Sequence, residues 1–243
     1  MHPIIAKIGP FTIYSYGMMV AMAFLFGIFI ARQEAVRKKI NPDIIYDFGF
    51  YLLIGSVISA RIYYVIFFDL KGFLGDPASV FRVWQGGLAI HGGIFGGIVT
   101  GLVFSKVRKI SFWVLADLIA PSIILGQAIG RIGCFLNGCC FGMPMKPFLG
   151  MSSHPTQIYE LILDFIGFLL LWDLRKKMKF EGGLFLSYLM LYAVIRTIVS
   201  RFRADNLYLW NTSLTLADIT SAVIFVIALA LFLKKRNAQK NNI

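Results

Sequence analysis

The chain has 243 residues, of which 58% are hydrophobic, and a net charge of +12 at neutral pH. A mean hydropathy of +0.75 leaves too little polar surface for a water-soluble domain. The positive residues lie between apolar runs rather than along a basic stripe with interleaved aromatics, which argues against a nucleic-acid surface.

Seven apolar segments follow in chain order, at about 14–31, 45–68, 86–105, 113–135, 156–172, 182–201 and 214–233. Most approach the ~20 residues that cross ~30 Å of hydrocarbon as a helix. They are read as one all-α polytopic membrane domain over residues 1–243 with about seven transmembrane helices. The first segment lacks a basic leader and a small-residue exit, so it reads as a true span rather than a cleaved signal. Positive charge alternates by loop. One side carries Arg32, Arg37, Lys38, Lys39, Lys106, Arg108, Lys109, Arg175, Lys176, Lys177, Lys179, Lys234, Lys235, Arg236 and Lys240; the other has Lys7, Lys71, Arg82, Lys146, Arg201 and Arg203. With an odd number of spans, this bias predicts an outer N-terminus and a cytoplasmic C-terminus.

Two connections on the outer side, 69–85 with Pro77 and 138–155 with Pro144, Pro147 and Pro155, are long enough for short interfacial or re-entrant elements. In the third segment Gly93, Gly97 and Gly101 recur every four residues and predict a close helix–helix contact on that face. No internal repeat and no linker divides the chain.

Ionisable residues inside apolar segments are the candidates for function, since each must face the bundle interior or a polar cavity. They are Arg61, His91, Asp117, Arg131, Glu160, Asp164 and Arg196, with Arg203 seven residues beyond Arg196 on the same helix face. An arginine such as Arg131 costs at least about 2.5 kcal/mol to place near the bilayer centre. Convergent guanidinium forks bind phosphate bidentately and keep their charge at every relevant pH, so they predict a pocket for an anionic headgroup. The alternative is structural pairing of Arg61 and Arg196 with Asp117, Glu160 or Asp164. His91, between glycines and apart from His2 and His154, suits a base or hydrogen-bond donor.

Cys134, Cys139 and Cys140 follow a C-x4-C-C spacing, unlike the paired spacing of zinc sites, so no metal is expected. A disulfide from Cys134 to Cys139 or Cys140, or a thiolate made acidic by Arg131, remains open. Metal, nucleotide and flavin motifs are absent from the sequence, and no cofactor is expected.

Six stretches, IGPFTIYSYG (8–17), SARIYYV (59–65), GGLAIHGGIFGG (86–97), GRIGCFLNGCCFG (130–142), HPTQIYE (154–160) and the 196–203 segment, resemble in this order the prolipoprotein diacylglyceryl transferase family. The resemblance implies a membrane transferase that moves the diacylglyceryl group of phosphatidylglycerol to the lipobox cysteine of a preprolipoprotein signal peptide, releasing glycerol 1-phosphate. It also implies the bacterial cytoplasmic (inner) membrane, with the site toward the outer face. By the same resemblance Arg131 contacts the headgroup, Arg196 is a second phosphate contact or gate, and His91 or Tyr16 stands near the proton transfer. Asn137, Gly142 and Arg203 join the site, and Arg61 is added as a phosphate-binding candidate. The chain has Cys134 and Cys139 where the commonest family pattern resembles asparagine and glutamate, and Ser200 at a position that is usually acidic. Two other classes fit some of these residues. One is a transporter or binding protein for an anionic lipid or metabolite; the other is a membrane thiol oxidoreductase, which would depend on Cys139 and Cys140 and not on Arg196.

Overall fold

A computed structural model of the chain describes residues 2–8, 11–83, 86–148, 151–209, 212 and 214–241. Gly9 and Pro10 of the first motif, Trp84 and Gln85 of the 69–85 connection, and Leu149 and Gly150 of the 138–155 connection lie outside the described residues. The described helices are α1 (Ser15–Arg37), α2 (Asp43–Phe68), α3 (Leu70–Gly75), α4 (Ile90–Val107), α5 (Phe112–Asn137), α6 (Thr156–Leu174), α7 (Gly183–Ser200) and α8 (Leu216–Lys240). Six of them, α1, α2, α4, α5, α7 and α8, are long and apolar enough to cross a membrane. The chain is an all-α, multi-pass membrane protein. The apolar run at 156–172 predicts a seventh span. That segment does form a long helix, α6, but Glu160, Asp164 and Asp173 make it too acidic to stand with the other six on length and composition.

The connections at 69–85 and 138–155 hold short elements, as the sequence predicts. The first holds α3 and a 3-10 turn, Pro77–Phe81. Antiparallel hairpins also form, β1 (Ile4–Ile8) with β2 (Phe11–Tyr14) and β3 (Pro144–Phe148) with β4 (Met151–Ser153). The chain divides into two compact units, residues 32–116 and the remainder, 1–31 with 117–243.

In the 32–116 unit α2 and α4 pack antiparallel through small residues. A Cβ on Gly92 would stand 2.5 Å from the Ser59 carbonyl, and one on Gly96 would stand 2.6 Å from the Gly55 carbonyl and also meet Ser59. Gly93 has only ordinary contacts, 3.9 Å from Ala60 and Ser56. The predicted glycine contact is therefore present, but on the face of Gly92 and Gly96, one residue before the expected stripe. Gly96→Ala is expected to lower stability by about 1–3 kcal/mol through overpacking. Gly93→Ala should be neutral or slightly stabilising, because alanine favours helix. Thermal unfolding of both variants in detergent would separate the two faces.

In the larger unit α1 and α5 run antiparallel with matching small positions. Ser122 Oγ donates to the Gly27 carbonyl at 2.7 Å, Gly126 faces Ala23, and Gly133 lies against Tyr16 and Met19. Such positions let helix backbones approach where no hydrophobic force between helices is available. Below them lies a core of Ala120, Ile124, Phe168, Leu171, Leu184, Tyr188, Ile195 and Val199 from α5, α6 and α7. The Asp117 carboxylate accepts from the Gly182 and Phe185 backbone N–H groups at 2.9 Å each and holds the start of α7. At α8 a reciprocal Thr215–Asp218 capping box satisfies the first turn. Asp218 also accepts from Ser200 Oγ at 3.1 Å, which ties the end of α7 to the start of α8.

Candidate functional site

Arg131, Glu160, Arg196 and Arg203 come from α5, α6, α7 and the loop after α7, and they meet at one end of the larger unit. Glu160, only 5% exposed, is the centre. Its Oε1 accepts from Arg131 Nη2 at 2.5 Å. Its Oε2 faces Arg203 Nη1 at 3.7 Å and Arg196 Nη1 at 4.0 Å. Those two distances are too long for hydrogen bonds, and Oε2 has no hydrogen-bond partner. Arg203 is anchored instead by a bidentate pair to Asp205, Nε to Oδ1 at 2.8 Å and Nη2 to Oδ2 at 2.6 Å. The Arg196 fork thus shares an electrostatic contact with Glu160 without a saturating hydrogen bond to it. Three cations around one carboxylate, with a second carboxylate fixing one of them, make an anion-attracting centre that can offer guanidinium donors to a phosphate.

Local structure explains why the arginines converge. Gly138, at φ 77°, closes α5, and the Gly138 and Cys139 N–H groups both reach back to the Cys134 carbonyl. The next turn is pinned to the start of α6: Thr156 Oγ1 donates to the Cys140 carbonyl at 2.7 Å and Gln157 Nε2 to the Cys139 carbonyl at 2.5 Å. Gly142 then lies in a backbone clasp. Its N–H donates to the His154 carbonyl at 2.9 Å, it bridges to Arg203, and a Cβ there would collide with the Phe202 backbone and stand 2.7 Å from the His154 carbonyl. Gly142 is buried, its N–H is taken, and its smallness seats the segment that carries Arg203.

Arg61 is held by backbone carbonyls. In the 32–116 unit its guanidinium donates to four carbonyls, those of Ser79, Val80, Gly86 and Gly87, at 2.6–3.1 Å. Those bonds make it a buried clamp on the segments that carry these carbonyls. His91 belongs to the same unit, exposed in the first turn of α4 with its ring 6.2 Å from that of Tyr63. Tyr16 lies in the first turn of α1 in the larger unit, 46% exposed, against Gly133, two residues after Arg131. Asn137 is exposed at the last residue of α5. The three cysteines are free thiols, and their sulfurs all lie within 4.8 Å of one another. Burial pushes the Cys140 thiol up, which opposes the acidic-thiolate alternative at that residue.

The sequence marks Glu160 only as a buried ionisable candidate or ion-pair partner, with no role from the resemblance, and does not single out Asp205. A buried carboxylate in an apolar helix that closes the HPTQIYE motif was the available signal for Glu160. Asp205 lies in a polar loop, and only its pairing with Arg203 reveals it. The hydrogen bonds from Arg203 hold the Asp205 carboxyl below the usual carboxylate range, and Asp205 in turn holds Arg203 protonated. With its pKa depressed in the fold, Asp205 contributes stability above its unfolded value of about 3.9 and loses it as pH falls through the folded value. Thermal unfolding of Asp205→Asn should therefore show a smaller loss of stability below about pH 4 than the parent chain, and a similar profile between about pH 5 and 8. The pair is partly exposed, so the effect is modest.

A family model described as prolipoprotein diacylglyceryl transferase matches residues 3–234. A protein of Halalkalibacterium halodurans named phosphatidylglycerol–prolipoprotein diacylglyceryl transferase is 40% identical, the match covering 95% of this chain and 85% of that protein. Relatives of the same name from Geobacillus kaustophilus, 39% identical, and Trichormus variabilis, 38% identical, are covered over 90% and 91% of their lengths by 94% and 96% of this chain. With a single family spanning nearly every element from β1 into α8, the chain belongs to the prolipoprotein diacylglyceryl transferase family.

Proposed function

We infer that this chain transfers the diacylglyceryl group of phosphatidylglycerol to the lipobox cysteine thiol of a preprolipoprotein, forming a thioether and releasing glycerol 1-phosphate. The convergence of Arg131, Arg196 and Arg203 on the single carboxylate of Glu160 carries the reading, together with the names of the relatives. Sulfur attacks an sp3 glyceryl carbon and the carbon–oxygen bond to phosphate breaks. The phosphate passes from a diester with one negative charge to a monoester approaching two. Guanidinium donors held at that oxygen gain strength as the charge develops, which is differential stabilisation of the transition state. In this reading Arg131 and Arg196 hold the phosphate, Arg203 is set by Asp205 to support them, and Asn137 lies on the substrate side. His91 or Tyr16 stands near the proton transfer from the thiol. The alternating loop charge supports a site facing outward from the bacterial cytoplasmic membrane, which phosphatidylglycerol reaches laterally from the outer leaflet.

The test mixes purified protein with phosphatidylglycerol and a synthetic lipobox peptide, and reads the peptide mass together with released glycerol phosphate. The expected result is a diacylglyceryl mass increment with an equal amount of glycerol phosphate, and neither from a peptide with serine in place of the cysteine. Lipid retained by the protein without an adduct would contradict the transferase reading and favour an anionic-lipid binding or transport protein.

A further inference from the structure

The clustering of Cys134, Cys139 and Cys140 adjoins the arginine centre through Arg131, yet the phosphate chemistry does not require it and the C-x4-C-C spacing alone does not suggest it. Cys134 lies in the last turn of α5. Gly138 turns the chain back, and Cys140, at φ 65°, adopts the left-handed conformation that brings its sulfur 3.2 Å from that of Cys139. A non-glycine residue in that region is held there by its surroundings. The restraints are the carbonyl anchors from Thr156 and Gln157 and the bonds back to the Cys134 carbonyl. Three sulfurs bound to one tetrahedral ion at about 2.3 Å stand about 3.8 Å apart. The observed spread, from 3.2 Å to at most 4.8 Å, brackets that value.

We propose that these three thiols form a site for a thiophilic divalent cation of the zinc class, whose fourth coordination position takes the acceptor thiol. Soft sulfur ligands select such ions over magnesium or calcium. Structural zinc sites are closed by four protein ligands, whereas catalytic ones keep three and an exchangeable position. Among the described residues the group ends at three. Its charge suits its surroundings: three thiolates and a divalent ion sum to one negative charge, and Arg131 is close enough to Cys134 to interact with it. The part concerning the acceptor rests on the transferase reading above. A thiol that binds the ion gives its proton to solvent. Its sulfur then donates an electron pair to the glyceryl carbon. The sulfur–carbon bond forms as the carbon–oxygen bond breaks, with that bond's pair leaving on the phosphate oxygen. Nothing is oxidised or reduced. A free thiol of pKa about 8.5 is only ~3% ionised at pH 7, so full ionisation raises the nucleophile's concentration about 30-fold.

The test titrates Co2+ into the reduced full-length protein in detergent. About one cobalt per chain is expected, with the sulfur-to-cobalt charge-transfer band and intense visible bands of tetrahedral sulfur ligation. Cys139→Ser and Cys140→Ser should each lose that spectrum, and the lipobox peptide should intensify the charge-transfer band. Removing metal with a chelator should slow transfer roughly 30-fold, restored by Zn2+. An octahedral, sulfur-free spectrum, binding unchanged in the serine variants, or a protein that loses two hydrogens to a disulfide instead of binding cobalt would overturn the proposal. Undiminished transfer by metal-stripped protein would overturn its acceptor role while leaving the transferase reading intact. The sulfur–cobalt spectrum with no transfer in any metal state would support the metal site and overturn the transferase reading beneath it.

Discussion

Arg131→Ala is expected to lower diacylglyceryl transfer at least about 100-fold, the usual cost of removing one preorganised donor from a developing anion. The residue is placed for this effect. It leaves α5 nearly two turns before the helix ends, and its guanidinium is oriented by Glu160. Arg196 and Arg203 remain in the variant, but neither makes a hydrogen bond to Glu160, and Arg203 is committed to Asp205. The phosphate would lose its best-oriented partner and keep a diffuse positive field. Arg131→Lys separates the two contributions. It keeps the charge and loses the fork, so it should recover lipid retention more than turnover. Measuring kcat and KM for the two variants against the parent checks the split, since loss confined to KM would mark Arg131 as a ground-state contact only.

Glu160→Ala is expected to act on the fold before the chemistry. Removing one partner of a buried ion pair costs about 3–5 kcal/mol, because the remaining charges stay desolvated and unpaired. Here three guanidiniums surround the carboxylate, so its loss leaves repulsion between α5, α6 and the end of α7. The expected outcome is a large drop in unfolding temperature and loss of the 117–243 packing. Glu160→Gln preserves volume and one hydrogen bond to Arg131, and should unfold between the alanine variant and the parent. Equal stability of all three would show that Glu160 is not the centre that holds the arginines together.

Much of this was legible in the sequence because the signals were local or compositional. Apolar runs and loop charge gave the helices, and the cost of arginine in hydrocarbon marked Arg131 and Arg196. What the sequence hid was pairwise. Arg61 has the same setting as Arg131 in a one-dimensional reading, yet its donors are used by four carbonyls of a neighbouring turn. Gly142 belongs to the same motif as Arg131, but its role is the close approach of three backbones. The glycine face of α4 was displaced by one residue, because spacing shows that a small-residue stripe exists and not which of two adjacent stripes meets the partner. Glu160 was visible as a buried charge, whereas its place among three arginines depends on four elements folding together.

The central claim is that the arginine centre around Glu160 holds the departing phosphate during transfer. Its most direct test is a single-turnover reaction of labelled phosphatidylglycerol with lipobox peptide, run side by side with the parent chain and Arg131→Ala at matched folded fraction. The account predicts stoichiometric thioether peptide and glycerol 1-phosphate from the parent, and a loss of at least about 100-fold in rate for the variant although it still inserts in the membrane. Transfer at an undiminished rate by Arg131→Ala would contradict it.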